Sequence, residues 1–124
     1  MFKHQANMTN SFLQNGAINL PDNICYIENN GYWVCFYFED GTRFVYNSDI
    51  KSVEEVMPKD KFIRCSKSFI VNISKVQELW VSNETVCVMS CGSIIQVDYC
   101  EVNHLKNFLH SQLTKVNERE GMLR

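Results

Sequence analysis

Several absences narrow what this chain can do. It holds no Cys-x-x-Cys pair and no glycine-rich phosphate loop, since its five glycines are scattered singly. No apolar run approaches the roughly 18 residues that a membrane helix needs. The opening stretch MFKHQANMTNSFLQNG lacks the apolar segment of a signal peptide. The chain is therefore expected in the cytoplasm, without a membrane partner. Paired carboxylates do not stand out, and the three histidines are spread across the N-terminal stretch and one helix, with no serine or cysteine placed to use them. Ser48-Asp49-Ile50-Lys51 spells Ser-x-x-Lys, but it falls at a helix start, where Ser48 or Asp49 serves as an N-cap. No catalytic residue and no cofactor is assigned, and an enzyme is the least supported class.

The six cysteines (Cys25, Cys35, Cys65, Cys87, Cys91, Cys100) form no zinc pattern. Cys87 and Cys91 are four apart in an apparent strand and would share a face, with His104 and His110 following. Even so, buried free thiols fit the spacing better than a metal site, and no metal is assigned. Cys65 stands beside Arg64 and near Lys67, charges that would favour a thiolate and a redox role.

What is present is an ordinary globular composition, 45% hydrophobic and 12% aromatic in 124 residues, enough for one domain with a real core. Charge is unevenly placed. Residues 59–75 carry five basic side chains (Lys59, Lys61, Arg64, Lys67, Lys75) against Asp60 alone, so this segment is +4 and the remainder −6 within a total of −2. Local charge, rather than net charge, sets a binding face.

Residues 1–16 read as a polar arm, and Ala17 to Leu20 as a short first strand before Pro21. Ile24 to Glu28 is β-rich, and Asn29-Asn30-Gly31 signals a turn. Tyr32 to Phe38 should form a central strand covered on both faces, and Asp40-Gly41 a hairpin returning through Arg43 to Tyr46. Apolar positions Ile50, Val53, Val56 and Met57 have helical spacing, and Pro58 ends that run, which predicts a helix over Ile50 to Met57. Further strands follow at Val76 to Val81, Thr85 to Ser90 and Ile94 to Val97. Val102, Leu105, Phe108, Leu109, Leu113 and Val116 then lie on one helical stripe, with Asp98 and Glu101 as a capping box. Strand-helix-strand units of a parallel sheet are missing, so the expected class is mainly β with antiparallel sheets, a short central helix and a C-terminal helix.

The order of these features resembles the LytTR domain family. Phe62-x-Arg64-Cys65-Ser66-Lys67-Ser68-Phe69-Ile70-Val71-Asn72 is similar to that family's Phe-x-Arg-x-His-Arg-Ser-Tyr-Ile-Val-Asn signature. The likeness runs from about Ala17 to Leu109, within a domain placed at 17–116, followed by a charged tail at 117–124. The resemblance implies a bacterial double-stranded DNA-binding domain that meets promoter repeats through loops, with a homodimer on DNA as a further expectation. No receiver domain is evident, which implies an input other than phosphorylation of a receiver.

Carried over position by position, the family's base contacts fall at three places. Tyr32 and Trp33 stand at the first loop. At the second, inside the signature, Ser66 replaces the usual histidine and Lys67 the usual arginine. At the third, Val97-Asp98-Tyr99-Cys100 stands where the family has Val-Ser-Arg-Arg, so Tyr99 replaces a guanidinium that could bind guanine bidentately. Lys59, Lys61, Arg64, Lys67 and Ser68 are expected to contact phosphates. Four such lysines or arginines imply a salt slope of about −4 in log affinity. The alternative is a protein-interaction module on the same scaffold that has lost DNA readout, with Tyr32, Trp33 and Tyr99 as anchors.

Overall fold

The computed structural model describes residues 22–98, 101–111 and 115–118, the backbone alone for 110–111 and 115–118. Among the described residues the order is β1 (Ile24–Asn29), β2 (Val34–Phe38), β3 (Arg43–Tyr46), α1 (Ile50–Val56), β4 (Phe62–Arg64), β5 (Phe69–Asn72), a single 3-10 turn (Ile73–Lys75), β6 (Val76–Val81), β7 (Thr85–Met89), β8 (Ile94–Val97), α2 (Val102–Ser111) and β9 (Lys115–Glu118). Five strands form one sheet in the order β3-β2-β1-β5-β4, and four form a second in the order β8-β7-β6-β9. All pairings are antiparallel except β6 with β9. The mainly β architecture, with one short central helix and one C-terminal helix, agrees with the pattern of turns and short alternating runs.

Local chemistry sets the joints. Asp40 Oδ1 accepts from the Thr42 N–H (3.0 Å) and hydroxyl (2.7 Å), and Gly41 supplies the positive φ of +93° that closes the β2–β3 hairpin. Asp49 caps α1 by accepting from the Ser52 N–H at 2.7 Å, as its place before the apolar stripe predicts. Met57 turns extended rather than completing the helix, because the residue before a proline is crowded out of the helical region.

The five-stranded sheet is apolar on both faces. One face packs Ile24, Ile27, Phe36 and Ile70 against Ile50, Val53 and Met57 at α1. The other packs Ile63, Cys65 and Val71 against Leu79, Cys87 and Ile95 of the second sheet and against Val102, Leu105 and Leu109 of α2. The signature stretch alternates between these cores: Phe62 and Ile70 face α1, whereas Ile63 and Val71 face the second sheet. Asn72, buried among them, donates to the Ile24 carbonyl (2.7 Å) and accepts from the Ser74 N–H (3.0 Å) and hydroxyl (2.8 Å).

Three expectations need correction. Val116, assigned to the stripe of the C-terminal helix, lies instead in β9 opposite Leu79. The charged tail expected from Asn117 thus begins inside that strand, which runs to Glu118. Cys91 sits in the β7–β8 turn rather than in a strand with Cys87. The expected strand at 17–20 and Leu113 lie outside the described residues.

Candidate nucleic-acid interface

The β4–β5 connection runs from Cys65 to Ser68, and its tip, the Ser66-Lys67-Ser68 loop, is closed by the Cys65 N–H donating to the Phe69 carbonyl at 3.0 Å. All three of its carbonyls are held from within the protein. Arg64 Nε donates to Ser66 O (2.6 Å), and its Nη2 donates to Lys67 O (3.2 Å). The Asn29 N–H donates to Ser68 O at 2.8 Å. Ser66 Oγ accepts from the Ser68 N–H at 3.1 Å, the hydroxyl-backbone turn that serine favours. With its acceptors engaged inward, the loop presents the exposed Lys67 ammonium and two half-exposed hydroxyls.

Asn29 also positions the neighbouring loop. Its Oδ1 accepts from the Gly31 N–H (3.0 Å), and the Asn30 N–H donates to Trp33 O (2.8 Å). Gly31, at φ +91°, makes this turn possible. Tyr32 and Trp33 fall in the turn rather than in β2 and are 84% and 41% exposed. This corrects the expectation that the central strand begins at Tyr32, and it frees both rings for a partner.

The third segment arrives from the second sheet. The Asp98 N–H donates to the Cys65 carbonyl at 2.8 Å, which fixes the exit of β8 against the end of β4. Ser66, Lys67, Ser68, Phe69, Gln96 and Asp98 together line an open cleft of about 280 Å³. Gln96 escaped the sequence reading. Its signal was the alternation of β8, where Ile94 and Gln96 are exposed and Ile95 and Val97 buried. Tyr99 and Cys100 lie outside the described residues.

The remaining cations divide by position. Arg64 Nη1 pairs with Glu54 Oε1 at 2.7 Å, so its whole fork serves α1 and the loop rather than the solvent face. Lys75 pairs with Glu39 at 2.8 Å. Lys59 Nζ donates to the Glu54 carbonyl at 2.6 Å at the end of α1. Lys61 precedes β4, about 10 Å along the strand from Arg64 at 3.3 Å per residue. Lys61 and Lys67 form no ion pair among the described residues. Thus the structure brings together Tyr32, Trp33, Ser66, Lys67 and Ser68, leaves Lys61 ahead of β4, sets Lys59 against the end of α1 at Glu54, and commits Arg64 internally.

The thiolate expected at Cys65 is overturned. Cys65 is fully buried, and burial, reinforced by Cys87 and the Asp98 and Glu101 carboxylates, pushes its thiol well above the ordinary range. The charged neighbours at 64 and 67 point away from the core that encloses its sulfur. Among the described residues no histidine, cysteine and carboxylate cluster could hold a metal, and no helix is long and apolar enough to cross a membrane.

The fold is thus a mainly β domain of two sheets that brings the β1–β2 turn, the Ser66–Ser68 loop and the exit of β8 to one edge. The model of the LytTr DNA-binding domain family matches residues 17–110, and the chain belongs to that family. It is 30% identical over 74 residues to the sensory transduction protein LytT of Enterococcus faecalis, a match covering 58% of this chain and 31% of that protein. The chain thus spans about a third of the relative's length. Its fold is similar to a solved LytTr DNA-binding domain from Bacillus cereus, with a TM-score of 0.63, 22% identity and coverage of 70% of this chain and 81% of the other.

Proposed function

We propose that this domain is a non-catalytic, sequence-specific double-stranded DNA-binding regulator of transcription that acts in the cytoplasm. The observation that carries the reading is the convergence of the β1–β2 turn, the Ser66–Ser68 loop and the β8 exit on one edge, tied by Asn29 and by the bond from Asp98 to Cys65. Lys67 and Gln96 reach base edges, Lys toward guanine and Gln toward adenine. Tyr32 and Trp33 contact thymine methyls or stack. The Ser66 and Ser68 hydroxyls, with Lys59 and Lys61, hold phosphates, and Tyr99 lies in the segment that follows Asp98. Arg64 acts as a positioning residue for the loop. Two copies bind spaced promoter repeats as a homodimer.

Selection of duplexes from a randomised pool, repeated with Lys67→Ala, tests this. A recovered consensus whose affinity drops in the variant is the expected result. No enrichment at low salt would refute it. In that event the second reading takes over, a protein-interaction module. It is favoured by the Asp98 carboxylate in the cleft, which repels phosphate, and by the exposed Tyr32 and Trp33 beside it. A stable partner complex silent toward DNA would establish it.

A further inference from the structure

A thiol of β1 and a thiol of the β7–β8 turn meet inside the domain. Cys25 Sγ lies 2.9 Å from Cys91 Sγ, across 66 residues of sequence. That separation is about 0.9 Å longer than the roughly 2.05 Å of a bonded pair. A local irregularity creates the meeting. The β1–β2 register shifts between Ile24 and Tyr26, so Cys25 is the extra residue of a β-bulge. Regular alternation would send Cys25 and Ile27 to one face and Ile24 and Tyr26 to the other. Instead Cys25 and Tyr26 both join the inter-sheet core, while Ile24 and Ile27 both face α1. Bulges re-aim side chains in this way. On the opposite side, Gly92 at φ +96° tightens the β7–β8 turn and brings Cys91 over β1.

We propose that Cys25 and Cys91 are a reversible dithiol–disulfide site that reacts with peroxides. The two sulfurs have unlike surroundings. Cys25 is fully buried and donates its S–H to Cys91; burial and that bond push it up to about 12. Cys91 is half-buried, with the Ser93 hydroxyl oxygen 3.6 Å from its sulfur. Burial opposes its ionisation, but hydrogen bonds with Cys25, Ser93 and the backbone outweigh burial and bring it below the ordinary 9.0. Cys91 is therefore the attacking thiolate and Cys25 the resolving thiol. Cys91 sulfur attacks a peroxide oxygen, the O–O bond breaks, and the sulfenic acid forms with release of hydroxide. Cys25 sulfur then attacks Cys91 sulfur, the S–O bond breaks, and the departing oxygen leaves as water with the Cys25 proton. The pair loses two electrons, and the peroxide gains them. The site is independent of what the domain binds.

Full-length folded protein treated with stoichiometric hydrogen peroxide, alkylated and digested without reductant tests the assignment. The expected product is two hydrogens lighter, and the Cys25–Cys91 cross-linked peptide dominates all other pairs. Its thermal midpoint rises on the order of 10 °C, and dithiothreitol reverses the change. In Cys25→Ser, dimedone should trap a sulfenic acid at Cys91; in Cys91→Ala, Cys25 should remain unlabelled. Circular dichroism reports whether each variant folds, and the wild-type cross-link map decides alone where one does not. Cross-links that map to another pair overturn the proposal. So does a folded chain that keeps all its thiols in excess peroxide, or dimedone on Cys25 in the Cys91→Ala variant.

Discussion

Arg64 and Lys67 stand three residues apart in one basic stretch, yet their surroundings assign them different work, and salt separates the two. With Lys59, Lys61 and Lys67 as the cations available to DNA, log affinity should fall with log salt at a slope of about −2.7, at −0.9 per phosphate neutralised. Wild-type affinity then drops about 40-fold between 50 and 200 mM salt. Lys67→Ala should flatten the slope to about −1.8 and the drop to about 12-fold, leaving thermal stability nearly unchanged because the side chain is exposed. Arg64→Ala should leave the slope at its wild-type value while lowering affinity at every salt concentration, because the loop loses the bonds to Ser66 O and Lys67 O. It also breaks the ion pair with Glu54, whose side chains are 25% and 36% exposed. Charge-assisted hydrogen bonds are individually worth about 1.5–3 kcal/mol when sheltered. Discounted for this exposure, the loss is about 2 kcal/mol, or about 5–10 °C in thermal midpoint. Arg64→Lys should fare little better, since an ammonium cannot bridge a carboxylate and two carbonyls as the planar fork does. Fluorescence anisotropy across a salt series, paired with thermal melts, reads both quantities. A slope flattened by about 0.9 in Arg64→Ala with an unchanged melt would make Arg64 a phosphate contact and defeat the reasoning.

Asn72→Ala should cost about 2–3 kcal/mol in urea unfolding with an unchanged m-value, because the Ile24 carbonyl is left buried without its donor. A cost below 0.5 kcal/mol, on the order of an exposed substitution, would show that water replaces the amide. Glu39 is held below the ordinary carboxylate value of 4.5 by hydrogen bonds from Lys75 and Ser90. Its contribution is therefore fully present above pH 4.5, declines below it, and is gone under the folded-state pKa. Wild type and Glu39→Gln should accordingly differ in melting at neutral pH and converge in acid; a gap that widens as pH falls would contradict that sign. Gln96→Ala should relax base preference at one position of the selected duplex, by about 1–3 kcal/mol of discrimination, without changing the salt slope. An identical consensus from the variant would remove Gln96 from the readout.

What could be read from the residues, and what could not, follows the range of the forces involved. The hairpins, α1 and the alternating strands were legible because their causes are local: Asp40-Gly41, Asp49 before an apolar stripe, Pro58 after it. The C-terminal stripe was also local, but it was misleading. Val116 continues a helical period by spacing alone, while pairing with β6, more than 30 residues earlier in sequence, makes Lys115–Glu118 a strand. The site shows the same limit in charge. The five cations of residues 59–75 add to +4 only when counted along the chain. Folding sets Glu54 against Arg64 and brings Glu39 across 36 residues to Lys75, so two of the five charges are answered before any ligand arrives. Cys65 fails as a thiolate for a related reason: it is enclosed in the core between the sheets, while Arg64 turns to Glu54 and Lys67 stands exposed in the loop, so its flanking cations do not share its environment. A basic run is thus evidence for a polyanion site only through the charges that folding leaves without an ion pair, here Lys67 at the loop and Lys59 and Lys61 before β4. On the proposed reading, the weight of DNA recognition consequently shifts from the number of cations to the rigidity of the loop that holds one of them, and the bonds of Arg64 to Ser66 O, Lys67 O and Glu54 give it the part of holding that loop.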